Sequence, residues 1–234
     1  MRIIAWNCNM AFRKKADQVL RYKPDILIIS ECEHPDKLTF PDPPTGVVWH
    51  GDNQHKGLGV FSFGDYQLKL LPDHTSSLKT ILPISVTGAN SDFTLFAIWA
   101  NNPLDKGNQY VGQVWKAIHH YEHLIKPEKT ILAGDFNSNS IWDKPRRIGN
   151  HTALVDALDL KGIKSIYHHH GGHLHGKEPH PTFNLYKNAD KPYHLDYCFA
   201  SEDFILKLAD IEIGNYNDWK KYSDHLPLII NFDI

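Results

Sequence analysis

Two stretches of this chain carry residues that could do chemistry. Ile131-Leu132-Ala133-Gly134-Asp135-Phe136-Asn137 reads as a buried strand that ends in an acid and an amide. Ser223-Asp224-His225 sets an acid and an imidazole at the start of another apolar run, Leu226 to Phe232. Asn7 and Glu31 stand at the ends of two further strand-like runs, and Asp196 follows His194-Leu195. Glu31 at a strand end is desolvated on one side and calls for a cation. A hard divalent ion takes oxygen ligands and keeps several waters, so one or two carboxylates suffice to hold it. An ionised Asp135 can take a proton from water, and an amide such as Asn137 can both donate and accept. If extended geometry persists, Asn137 points the same way as Asp135. A carboxylate on one imidazole nitrogen of His225 fixes its tautomer and favours the charged ring. Such a ring stabilises charge that develops on a phosphoryl oxygen. Five polar positions from distant parts of the chain, all at strand ends, suggest one composite metal-hydrolase site.

The elements that must position these groups follow from the apolar pattern. Arg2 to Trp6 and the continuous run Ile26-Leu27-Ile28-Ile29 read as strands, the second buried on both faces. Residues 11–23 carry Phe12, Ala16, Val19 and Leu20 near helical spacing, and Pro24 ends that helix. Short strands follow at 47–49, 59–63, 67–71, 80–86 and 93–99, separated by Gly-, Pro- and Asn-rich turns, which suggests antiparallel pairing. Residues 108–126 form the clearest helix, with Val111, Val114, Trp115, Ile118, Tyr121, Leu124 and Ile125 at steps of three and four. Strand 130–134, helix 152–160 and strands 194–200 and 226–232 complete the chain. The mixed order predicts an α/β fold in which two β-sheets pack face to face with helices on the outer faces. The site would then lie at one edge.

Composition narrows the class. The chain has 234 residues, 41% of them apolar, and nothing in it resembles a linker, so one domain over residues 1–234 is expected. A formal charge of −2 gives no global positive field toward nucleic acid, though a local basic patch remains open. Cys8, Cys32 and Cys198 form no Cys-x-x-Cys pair, which argues against a disulfide framework and fits a reducing compartment. The N-terminus reads as a strand, not a signal peptide, and no apolar run is long enough to span a membrane. The expectation is a soluble cytoplasmic monomer. Sixteen histidines are unusual, and five of them fall in His168 to His175. Glycine-interrupted as it is, this stretch reads as a solvated loop, a substrate-facing loop or a zinc site, with no cysteine or regular helical spacing for the last.

The stretches Trp6-Asn7, Glu31, Gly134-Asp135-Phe136-Asn137, Leu195-Asp196-Tyr197 and Ser223-Asp224-His225 together resemble the endonuclease/exonuclease/phosphatase superfamily. It includes exonuclease III-type AP endonucleases and pancreatic-type deoxyribonucleases. The resemblance implies a four-layer α/β sandwich, two packed mixed sheets flanked by helices, and hydrolysis of phosphoesters with Mg²⁺ or Mn²⁺. It implies metal-binding roles for Glu31, Asn7 and Asp224. Asp135 is then the group that activates water, Asn137 its orienting neighbour, His225 the phosphate-binding histidine and Asp196 its partner. Asn102 resembles a phosphate-contacting amide. Trp99 departs from the pattern: it stands where those AP endonucleases carry a tyrosine and the deoxyribonucleases a histidine. An indole N–H donates but cannot transfer a proton, so poor cleavage at abasic sites is expected, with Trp99 lining the substrate instead. The leading reading is a nuclease on DNA, or RNA, supported by Lys56, Arg146 and Arg147 with Trp142 and Tyr167 nearby in sequence. The others are a phosphatase or phosphodiesterase for a small phosphorylated molecule and a non-catalytic binding module.

Overall fold

In a computed structural model, which describes residues 1–88, 91–101 and 109–234, fourteen strands and six α-helices follow one another. They run β1 (Arg2–Asn7), α1 (Ala16–Leu20), β2 (Ile26–Cys32), β3 (Gly46–Asn53), β4 (Lys56–Ser62), β5 (Gln67–Leu70), β6 (Ile81–Thr87) and β7 (Phe93–Trp99). Then come α2 (Val111–His120), β8 (Thr130–Asp135), α3 (His151–Asp159), β9 (Ile163–Ser165), α4 (Ile166–Gly171), β10 (Phe183–Asn184) and β11 (Pro192–Tyr193). β12 (Asp196–Ser201), α5 (Glu202–Ile205), β13 (Leu208–Ile213), α6 (Tyr216–Trp219) and β14 (Leu228–Phe232) end the chain. Twelve strands build two six-stranded sheets, ordered β13-β14-β1-β2-β4-β3 and β5-β6-β7-β8-β12-β9, and β10 pairs β11 in a small ribbon. Each large sheet has one parallel pair near its centre, β1 with β2 and β7 with β8, and antiparallel neighbours on both sides. A helix crosses between the strands of each parallel pair, as a parallel connection requires.

The period of two along each strand sorts side chains into three cores. Ile3 and Ala5, Ile26 and Ile28, Leu95 and Ala97, Ile131 and Ala133, and Cys198 and Ala200 fill the space between the sheets. Ile4 and Trp6, with Leu27 and Ile29, face outward under Phe12, Val19 and Trp219. Phe96, Ile98 and Leu132 face outward on the other side, under Val114, Ile118 and Leu154. This is the α/β sandwich expected of the pattern, and it explains the continuous apolar runs: both faces of these strands are buried.

Several expected elements differ. The helix expected over 11–23 is a 3-10 turn, Phe12–Lys14, then α1. It starts late because Ala11 takes positive φ, and it breaks at Lys15, which leaves helical geometry and donates to the carbonyls of Cys8, Asn9 and Tyr222 at 2.6, 3.1 and 2.6 Å. The helix expected over 108–126 is α2, which stops at Tyr121. Of the three readings of the histidine-rich stretch, a plain solvated loop does not hold: His168 to Gly171 belong to α4, and His168 is buried. Strand β13, with its alternating Leu208-Ala-Asp-Ile-Glu-Ile, and the β10–β11 ribbon were not anticipated. All three cysteines are buried and free. Among the described residues no helix is long and apolar enough to cross a membrane.

Candidate active site

The inner-face alternation delivers the polar groups. Ile3 and Ala5 lead to Asn7, Ile131 and Ala133 to Asp135, and Leu95 and Ala97 to Trp99. Each run turns polar or amphipathic at the carboxyl end of its strand. β12 and β14 run antiparallel to their neighbours, so Asp196 and His225 reach the same edge from strand beginnings. Asp196 sits directly opposite Asp135 in the β8–β12 pairing.

The centre is an imidazole between two carboxylates. His225 Nδ1 lies 2.9 Å from Asp196 Oδ2, and His225 Nε2 lies 4.0 Å from Asp135 Oδ2. All three side chains are almost wholly buried. Burial opposes the charged ring, but the carboxylates of Asp196 and then Asp135 outweigh it and lift His225 to about 10. Burial also raises Asp135, to about 7, against the pull of His225. Asp135 is held by three hydrogen bonds: Asn7 Nδ2 to Oδ2 at 3.0 Å, Asn137 Nδ2 to Oδ2 at 2.9 Å, and the Asn137 backbone N–H to Oδ1 at 2.9 Å. The last is a turn closed by the aspartate's own side chain. Asn137 therefore reaches Asp135 by turning back at φ 46°, not by continuing the strand, which corrects the extended geometry expected from sequence. Its amide also donates to the Ala100 carbonyl at 2.8 Å. Gly134 is required here: at its φ of 138° an added Cβ would stand 2.0 Å from the Ile98 carbonyl oxygen.

Supporting contacts fix the ring. Thr182 Oγ1 accepts from the N–H groups of Leu195 and Asp196 at 2.9 and 3.0 Å. Trp6 Nε1 donates to the His225 carbonyl at 3.0 Å, and Ser223 Oγ accepts from His225 N–H at 3.0 Å while donating to the Asn7 carbonyl at 2.7 Å. Phe183 packs on the imidazole at 4.6 Å between centroids.

Beside this centre lies a set of oxygen donors. Glu31 occupies a bulge between Ser30 and Cys32 and takes φ 60°, a strained conformation that turns its carboxylate out at the strand end. Asn9 joins two other members: its N–H donates to Asn7 Oδ1 at 3.0 Å and its Nδ2 to Asp224 Oδ1 at 3.1 Å. Lys56 Nζ stands 3.2 Å from Glu31 Oε2 and 5.3 Å from the Trp99 ring centroid. Glu31 thus already draws a cation, and a donor set made only of carboxylate and amide oxygens suits a hard divalent ion. The Asp135–Asp196–His225 cluster could also gather around an ion, but a protonated imidazole has no lone pair to give.

Trp99 is 8% exposed and packs in the core between the sheets. Its flank carries Lys56. Asn102 lies outside the described residues. Next to the carboxylates a cavity of about 650 Å³ is lined by Asn137, Trp142, Phe183, Tyr193, Lys144 and Arg147, among others. Trp142 and Tyr193 pack at 5.0 Å. Phe183 and Tyr193, like Thr182, Asn9 and Lys15, were not picked out from sequence. Two-residue strands carry no periodicity to find them by. Arg146 does not line this cavity, and Tyr167 borders a different one, with His170, His173 and His180.

The family model described as the Endonuclease/Exonuclease/phosphatase family matches residues 4–225. The chain belongs to that family, whose members cleave phosphoester bonds. Solved structures share its fold at low identity. An AP endonuclease from Archaeoglobus fulgidus superposes with a TM-score of 0.71 at 19% identity over 100% of both chains. The 3′-5′ exonuclease NExo from Neisseria meningitidis gives 0.67 at 19%, again over 100% of both. The endonuclease domain of TRAS1, a telomere-specific non-LTR retrotransposon, gives 0.68 at 18%, covering 100% of this chain and 98% of that one. No curated protein matches the sequence.

Proposed function

We propose that residues 1–234 form one catalytic domain that hydrolyses phosphodiester bonds in DNA, with Mg²⁺ or Mn²⁺ as cofactor. The observation that carries this reading is the buried Asp196–His225–Asp135 line, with 2.9 and 4.0 Å separations, beside the oxygen donors of Glu31, Asn7 and Asp224. Asp135, raised to about 7 and pinned by two amides, accepts the proton of an attacking water near neutral pH. Asn137 and Asn7 keep its lone pairs aimed. His225, held charged by Asp196, donates from Nε2 to a phosphoryl oxygen as negative charge builds there. A divalent ion held by Glu31, Asn7 and Asp224 would neutralise phosphate charge and polarise the phosphorus–oxygen bond.

A nucleic-acid substrate is supported by the adjoining cavity. Trp142, Tyr193 and Phe183 offer faces for a base or sugar, and Lys144 and Arg147 offer charge for the neighbouring phosphates. NExo, whose fold this chain shares, has also been solved as a 3′ phosphatase bound to product DNA hairpin, and a DNA phosphomonoester is the second reading. The test is a turnover screen over single- and double-stranded DNA, RNA, bis-p-nitrophenyl phosphate and small phosphomonoesters, with Mg²⁺, Mn²⁺ or chelator. DNA cleavage that depends on the ion supports the proposal. Turnover of small phosphomonoesters alone would replace it with a phosphatase.

A further inference from the structure

The histidine-rich segment plays no part in the hydrolysis above, yet it folds into a second cluster. Gly172, at φ 64°, caps α4, and Gly176, at φ 85°, turns the chain again. These turns fold the segment back on itself, so that the rings of His175 and His168 stack with centroids 3.5 Å apart. Glu178 comes to rest against His168, with Oε1 at 3.1 Å from His168 Nε2. One nitrogen of His168, one of His175 and one carboxylate oxygen of Glu178 all lie within 4.8 Å of one another. We propose that His168, His175 and Glu178 form a second metal site, distinct from the oxygen-donor set of the active site, that binds a transition ion of the zinc class.

The ligand types select the ion. Two imidazoles and one carboxylate suit Zn²⁺, whereas Mg²⁺ is held by oxygens and waters. The 3.1 Å between His168 Nε2 and Glu178 Oε1 is close to the roughly 3.3 Å that separates two ligands placed ~2.0–2.1 Å from a tetrahedral zinc. Zinc would take the place of the hydrogen between His168 Nε2 and Glu178, and the neutral ring that binds the ion through Nε2 keeps its single hydrogen on the other nitrogen. His168 then carries its proton on Nδ1 and donates to Ser165 Oγ, 2.7 Å away, a hydroxyl able to accept as readily as to donate.

Each ligand has the outer partner that orients a metal-binding side chain. Glu178 Oε1 also accepts from Gly176 N–H at 2.9 Å and Asn139 Nδ2 at 3.1 Å. His175 Nδ1 meets His151 Nε2 at 3.0 Å, which leaves Nε2 for the ion. Parallel rings aim their lone pairs side by side, so to complete the site His175 would have to pivot about its contact with His151. A surface cavity of about 220 Å³, lined by Ser165, His168, His169 and His175, gives it room and gives the ion a way in. A second observation points the same way. His194 packs beside His168 at 5.7 Å, and its Nδ1 donates to the His180 carbonyl at 2.8 Å. Its lone pair is therefore on Nε2, which is buried and meets no donor. This unpartnered acceptor belongs to a ring that borders the cluster.

The test uses the full chain, stripped of metal and titrated with Zn²⁺ by calorimetry and with Co²⁺ by visible absorption. One equivalent is expected to bind, with Co²⁺ bands of low-coordinate geometry. Free zinc at a hundredfold excess over Kd is expected to raise Tm by about 5–10 °C. His175→Ala and Glu178→Gln, each checked by circular dichroism before zinc is added, are expected to weaken binding at least ~100-fold. Glu31→Gln, in the active site, is expected to leave it unchanged. Three results would overturn the site: no stoichiometric binding, unchanged affinity in both His175→Ala and Glu178→Gln, or loss of binding in Glu31→Gln. None of these readouts depends on turnover, so they stand apart from the test of the proposed function.

Discussion

Asp196→Asn separates the charge of the buried pair from its shape. The amide keeps the volume and an oxygen that can accept from His225 Nδ1–H, but it removes the closer of the two carboxylates, 2.9 Å from the ring. In the native protein burial disfavours the imidazolium, and Asp196 and Asp135 together overcome it to reach about 10. With Asp196 neutral, Asp135, at 4.0 Å, and the weaker pull of Asp224 are left to oppose burial. The ring is then expected to titrate near its ordinary value of 6.5, a fall of about 3.5 in pKa, or about 5 kcal/mol. At pH 8 an imidazole of pKa 6.5 is charged in about one molecule in thirty, so turnover is expected to fall about thirtyfold from protonation alone. Stability follows the same sign. A raised folded pKa contributes stability that is complete below 6.5 and is lost as pH rises to about 10, and the variant should lack that alkaline decline. The assay is an NMR titration of the His225 ring, assigned with His225→Gln, beside a pH profile of kcat. An unmoved His225 titration or an unmoved alkaline limb would refute the reasoning.

Asp135→Asn should keep the fold, seen as an unchanged circular dichroism spectrum, and lower kcat by about 10²–10⁴, the usual worth of a general base; a variant with more than about a tenth of the native rate would remove Asp135 from that role. His151 and His194 are each held down to about 4 by burial first, so the folded protein keeps them neutral while the unfolded chain protonates near 6.5. Their contribution is present above 6.5 and lost as pH falls toward 4; between pH 7 and 5 the loss is about 2 kcal/mol each, read as a drop in urea stability in chelator that His151→Gln should reduce. Because Trp99 lies in the core and offers no transferable proton, an abasic-site duplex should be cleaved no faster than an undamaged single strand under matched metal and salt. A marked preference for the abasic duplex would contradict that.

How much of this could be read from sequence depends on how local the cause is. Ile26 to Ile29 and Ile131 to Ala133 announce buried strands because both faces meet a core, and the same alternation carries Asn7 and Asp135 to the edge. The sequence therefore brought Asn7, Glu31, Asp135, Asp196, Asp224 and His225 into view. It did not reveal how they meet. Glu31 needs a bulge set by its pairing with β4, and Asn137 needs a turn closed by Asp135. Lys15 interrupts a helical pattern because three carbonyls, one of them 207 residues away, claim its ammonium. Asn9 is invisible as a link until β1 and the loop before β14 come together. In His168 to His175, runs of one polar residue type hide the difference between a solvated loop and a packed cluster, which rests on Glu178 just beyond and on Asn139 and His151 at distant positions.

The central claim is that Glu31, Asn7 and Asp224 hold a divalent ion on which the Asp196–His225–Asp135 centre depends. The direct measurement is DNA turnover in chelator and after Mg²⁺ is restored, with native protein and Glu31→Gln side by side. The native enzyme should be silent in chelator and recover with Mg²⁺ alone, and Glu31→Gln should need far more Mg²⁺ or fail to recover. Full turnover in excess chelator, or a Glu31→Gln variant with native Mg²⁺ dependence, would contradict the claim.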